Sequence, residues 1–125
     1  MALVFQLTKK KDNFTTHEYF GAGQGLGVRG PSMSGEKALH ILKDKYGPPI
    51  EVDSSDGKVT WEYHFITKSI PGVKFRIYDY KGYLSNGFGI PKKMELTQEK
   101  VARINHGMIS LLREAFSLDY YPQVR

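Results

Sequence analysis

Apolar and polar positions alternate along the chain in a way that predicts two strand-rich stretches, each ended by one helix. The opening run Met-Ala-Leu-Val-Phe-Gln-Leu-Thr stops at Lys9-Lys10-Lys11 and reads as a first strand. A turn over residues 10–13 separates it from a second candidate strand, Phe14 to Phe20. Gly21 to Gly30 is too rich in glycine for regular structure and predicts a loop. Ser34 predicts a helix start, because its hydroxyl can cap free N–H groups and Glu36 suits the positive end of the helix dipole. Ala38, Leu39, Leu42 and Tyr46 share one face of that helix, and Gly47-Pro48-Pro49 ends it.

Ile50 to Val52 reads as a short strand, followed by a hairpin turn at Ser54-Ser55-Asp56-Gly57. Lys58 to Thr67 and Val73 to Lys81 then alternate cleanly across Lys68–Gly72, with Val59, Trp61, Tyr63 and Phe65 on one face of the first and Val73, Phe75 and Ile77 on one face of the second. Asn86-Gly87 predicts a further tight turn. Thr97 caps a last helix, Leu96 and Val101 have hydrophobic-staple spacing, and Val101, Ile104, Met108, Leu112, Ala115 and Phe116 form its buried stripe. Asn105-His106-Gly107 interrupts that helix, and the glycine would admit a close neighbour from within the monomer, from a second helix or from a symmetry mate.

The order β-β-α-β-β-β-α predicts an α+β fold: a mostly antiparallel sheet of four to five strands with two helices on one face, in a single domain over residues 1–125. Keeping the apolar faces of the central hairpin together sets Phe65 opposite Phe75, Tyr63 opposite Ile77, His64 opposite Arg76 and Glu62 opposite Tyr78. The outward set is then Glu62, His64, Lys74, Arg76, Tyr78 and Tyr80. Cations interleaved with flat rings on a sheet suit a single-stranded nucleic acid or a nucleotide. The same residues also suit a solvated face or a protein contact.

Charge sharpens this. The chain of 125 residues carries +5, yet residues 1–62 hold eight basic and eight acidic side chains, so the whole excess lies in residues 63–125. The absence of cysteine excludes a disulfide scaffold and a thiolate zinc site. No apolar stretch approaches the roughly 20 residues of a membrane span, and no secretory signal pattern opens the chain, so the expectation is a reducing intracellular compartment and no membrane partner.

The glycine loop matches the letters of G-x-G-x-x-G at Gly25, Gly27 and Gly30, but Pro31 follows and no parallel crossover is evident, so a dinucleotide site is not expected. A looser anion site remains open there, built from backbone N–H groups, Arg29 and the N-terminus of the Ser34 helix. Four histidines show no metal-ligand spacing, and no nucleophile-elbow motif is present; no metal and no cofactor are expected. His17-Glu18 would point to opposite faces of a strand, whereas Glu62 and His64 share a face and are the candidate acid–base pair.

Three functions follow. The leading one is a small non-catalytic binding module for an anionic ligand, single-stranded nucleic acid or a nucleotide, using His64, Lys74, Arg76, Tyr78 and Tyr80, with Arg29 and the glycine loop at the rim. The second is a protein–protein or homo-oligomerisation module anchored by Tyr78, Tyr80, Tyr120 and Tyr121. The third is an enzyme on a phosphate-bearing substrate, with Glu62 and His64 as acid and base.

Overall fold

The computed structural model describes residues 3–9, 25–52, 56–91, 94–117 and, for the backbone, 123–124. The elements in chain order are β1 (Gln6–Thr8), β2 (Val28–Arg29), α1 (Gly35–Tyr46), β3 (Ile50–Glu51), β4 (Trp61–Ile66), β5 (Lys74–Tyr80), β6 (Tyr83–Gly89), α2 (Gln98–Phe116) and β7 (Gln123–Val124). Strands β1, β4, β5 and β6 lie side by side in that order, and β3 continues the β1 edge along the other end of β4, giving a five-stranded antiparallel sheet. The expected second strand at Phe14–Phe20, the first four residues of the glycine loop, Ser54-Ser55 and Tyr120-Tyr121 lie outside the described residues.

The central hairpin has the register that its pattern dictates: Phe65 faces Phe75, Tyr63 faces Ile77, His64 faces Arg76 and Glu62 faces Tyr78. Two elements differ from expectation. Asn86-Gly87 is not a turn but the middle of β6, opposite Ile77 and Arg76. The turn is Lys81-Gly82, whose φ values of 51° and 84° are the paired positive angles of a type I′ hairpin, matching the twist of the strands it joins. Gly87 lies beneath the Arg76 side chain, where a Cβ would sit 3.4 Å from Arg76 Nε, close to an ordinary contact. Within the glycine-rich segment, Val28 and Arg29 form a two-residue strand paired antiparallel with β7.

Both helices cap as their sequences predict: Ser34 Oγ accepts from Lys37 N, and Thr97 Oγ1 accepts from Lys100 N. Their apolar faces close over one side of the sheet, with Ala38, Leu42, Ile104, Met108 and Leu112 packed in one core with Tyr63, Phe65, Phe75 and Ile77. Helix α2 runs unbroken through Asn105-His106-Gly107. The neighbour that Gly107 admits is the chain's own N-terminal segment: a Cβ there would meet Leu3 Cδ2 at 2.6 Å and the Leu3 carbonyl oxygen at 3.0 Å. Among the described residues no helix is long and apolar enough to cross a membrane.

One core hydroxyl ties α1 to the sheet. Tyr63 donates from its hydroxyl to Gly47 O at 2.6 Å, which fixes the end of α1 over β4. Burial pushes the Tyr63 hydroxyl up to about 12, and burial together with the Glu114 carboxylate does the same for Tyr46. Above pH 10 an unfolded chain sheds these two protons while the folded chain keeps them, so stability falls as pH rises from about 10 through 12. Absorbance titration at the phenolate band is expected to show Tyr46 and Tyr63 ionising late, together with unfolding. Ionisation of both near pH 10 with the fold intact would contradict this packing.

Candidate functional site

The sheet face away from the helices carries every residue of the expected outward set, but it is not uniformly open. His64 is 1% exposed and Glu62 7% exposed, so these two are interior groups rather than surface contacts. Strand β4 is internal to the sheet, flanked by β5 on one side and by β1 and β3 on the other, and side chains at its centre have neighbours on both sides. A carboxylate in such a place needs partners, and Glu62 has them on both oxygens. His64 Nε2 lies 2.6 Å from Glu62 Oε1, and Arg76 Nη1 donates to Glu62 Oε2 at 2.9 Å. The Arg76 guanidinium also lies 4.2 Å from the centre of the Tyr78 ring, so the four side chains form one fixed chain across β4 and β5.

This network limits what each member can do. Arg76 spends its charge on Glu62, so it holds Tyr78 in place rather than offering an open charge to a ligand. Glu62 and His64 line a cleft of about 220 Å³ together with Leu7, Thr8, Lys9, Pro48, Pro49, Ile50 and Tyr63. Such a pair can orient an imidazole, the role a carboxylate plays beside a catalytic histidine. With His64 sealed to 1%, the pair is better placed to brace the sheet than to exchange protons with a substrate. No cluster of three or more metal-ligating side chains occurs among the described residues.

The open part of the face lies at the β5–β6 hairpin end. Tyr80 and Tyr83 are direct cross-strand partners, 43% and 68% exposed. The Lys81 ammonium sits 5.6 Å from the centre of the Tyr80 ring. Tyr78 and Ser85 pair one step further in, and Lys74 ends the β5 row. The sequence pattern names Lys74, Arg76, Tyr78 and Tyr80 but misses Lys81 and Tyr83, because Asn86-Gly87 takes the turn signal. Lys81-Gly82 carries its own signal: it directly follows the alternating run of β5 and supplies a glycine for one positive φ.

The glycine loop is built differently from an anion cradle. Gly27 N donates to Asn105 Oδ1 at 2.9 Å, and Asn105 Nδ2 donates to Gly25 O at 2.8 Å, so a buried amide on α2 engages the backbone that a ligand would need. The start of α1 is likewise closed: Gly35 N donates to Gly82 O at 2.8 Å, and Lys37 N to Ser34 Oγ. The N–H groups of Gly27, Gly35 and Lys37 are thus engaged within the protein. Arg29 differs, for its side chain is exposed at the end of β2 and lines a second cleft with Gly30, beside the edge strand β6.

No protein-family model, no curated protein and no solved structure matches the chain, so its function has to be argued from these residues alone.

Proposed function

We propose that the protein is a small binding module whose β5–β6 face takes a single-stranded nucleic acid or a nucleotide. One observation carries the reading: Tyr80 and Tyr83 stand exposed as cross-strand partners, with Lys81 at the turn between them and Tyr78, held by Arg76, beside them. Bases stack on any flat ring, each stack contributing about 1–3 kcal/mol, and cations beside the rings neutralise phosphates. The charge distribution also fits, since the net excess of the chain falls in residues 63–125, which include this hairpin. The Arg76–Glu62 pair supplies rigidity here, so that the tyrosine row is set before a ligand arrives.

A labelled oligonucleotide at about 50 mM salt is expected to bind in the range of about 10⁻⁴ to 10⁻⁶ M or tighter, weakening steeply as salt rises. Tyr83→Ala should weaken binding about 5- to 150-fold, the loss of one stack. Lys81→Glu should weaken it further at low salt than at high salt. Binding that persists in Lys81→Glu but fails in Tyr83→Ala would favour a tyrosine-anchored protein contact instead. No binding tighter than about 10⁻⁴ M would remove the proposal.

A further inference from the structure

We infer that the cleft between the edge of β6 and residues 29–32 is a phosphate subsite, receiving a phosphate of the nucleic acid whose bases stack on the tyrosine row. This rests on the reading of the β5–β6 face given above. The cleft measures about 300 Å³ and is lined by Arg29, Gly30, Pro31, Ser32, Leu84, Ser85 and Asn86. No carboxylate is among these residues, and four of the seven bring side-chain donors: a guanidinium, two hydroxyls and an amide. Among the described residues, none of those four side chains makes a hydrogen bond or ion pair within the protein. Ser85 faces the tyrosine side of β6 and Asn86 the helix side, so the cleft runs along the strand edge. Donors around it without an internal acceptor are complementary to an oxyanion, and a planar guanidinium matches phosphate oxygens two at a time.

Position supports the same assignment. Ser85 is the cross-strand partner of Tyr78, one strand spacing outward, and the cleft begins where Ser85 ends the sheet. Neighbouring strands lie about 4.8 Å apart, so a ring stacked over the tyrosines would hold its phosphate one strand further out, over the β6 edge. Charge requires such a place, because Arg76, the guanidinium nearest the rings, is committed to Glu62. Arg29 supplies a guanidinium that, unlike Arg76, is exposed.

The test combines inorganic phosphate with a 5′-hydroxyl oligonucleotide and its 5′-phosphorylated counterpart, each titrated into the wild-type protein and into Arg29→Ala and Arg29→Lys. Amide shifts at Arg29, Ser32, Ser85 and Asn86 are expected with phosphate alone and should disappear in Arg29→Ala. That variant should lose about tenfold in oligonucleotide affinity and flatten the salt dependence by about 0.7 in log–log slope, one phosphate contact. Arg29→Lys should keep the slope and recover only part of the affinity, since an ammonium has no fork. Tighter binding of the phosphorylated oligonucleotide assigns the cleft to a terminal phosphate, and equal binding assigns it to a backbone diester. If Arg29→Ala changes neither affinity nor slope while Tyr83→Ala weakens binding, the subsite is wrong and the tyrosine face stands. If oligonucleotides do not bind but inorganic phosphate still shifts the cleft amides, the face is wrong and the cleft serves a free phosphate. If neither ligand has any effect, both are wrong.

Discussion

Asp79→Ala is expected to destabilise the protein by about 2–4 kcal/mol, a large share of the stability of an ordinary domain. Asp79 is 6% exposed and sits in phase with Phe75 and Ile77 on the core side of β5. Its carboxylate accepts three hydrogen bonds from the start of β4: Thr60 N at 2.7 Å, Thr60 Oγ1 at 2.6 Å and Trp61 N at 3.1 Å. Truncation leaves Trp61 N buried without an acceptor, at about 1–3 kcal/mol, and takes the charged partner from Thr60 N and its hydroxyl, which lie nearer solvent. Asp79→Asn keeps the oxygen that accepts both N–H groups and can donate to Thr60 Oγ1, so it should cost only about 1–2 kcal/mol. Urea unfolding separates the two variants. A loss below about 1 kcal/mol in Asp79→Ala would mean that the carboxylate does not hold the entry of β4.

The second large effect has opposite signs in stability and in binding. Glu62→Ala removes the acceptor shared by His64 and Arg76, and breaking a buried pair from one side costs about 3–5 kcal/mol. The same change leaves Arg76 beside the tyrosine row without its neutralising carboxylate. Glu62→Gln preserves the shape and should be the milder variant, destabilised but folded. In that variant oligonucleotide affinity is expected to rise at low salt, and the salt dependence to steepen by about 0.7 in slope, one additional phosphate contact. Calorimetry and anisotropy titration on the same sample check the pair of outcomes. A variant that loses stability and binding together would place Glu62 in contact with the ligand, not behind it.

The pattern along the chain reached the fold through its strongest signals. Period-two alternation in residues 58–81 was enough to set the register of β4 on β5, since a slip of one residue would turn Phe65 and Phe75 out of the core. Ser34 and Thr97 marked the helix starts because an N-cap is a local event between neighbouring residues. What the pattern could not carry depends on distant partners. Asn105 looks like a helix interruption until the backbone of Gly25 and Gly27 arrives to occupy both ends of its amide. Glu62 and His64 look like surface residues by alternation, because the pattern gives the face of a strand and not its depth within the sheet. An acid at a core phase, as at Asp79, is the one sequence signal that would have revealed a buried acceptor. The candidate site was legible in the same measure: the tyrosines and cations of β5 came from alternation, whereas Lys81, Tyr83 and the donors around Arg29 emerged only with the course of β6.

The most direct measurement is the amide shift map of the isotope-labelled protein titrated with a short single-stranded oligonucleotide at about 50 mM salt. Saturable shifts confined to Lys74–Asn86 and the Arg29–Ser32 segment, with the buried stripe of α2 unmoved, are the predicted result. Shifts centred on the helices, or a spectrum unchanged at millimolar oligonucleotide, would contradict the account.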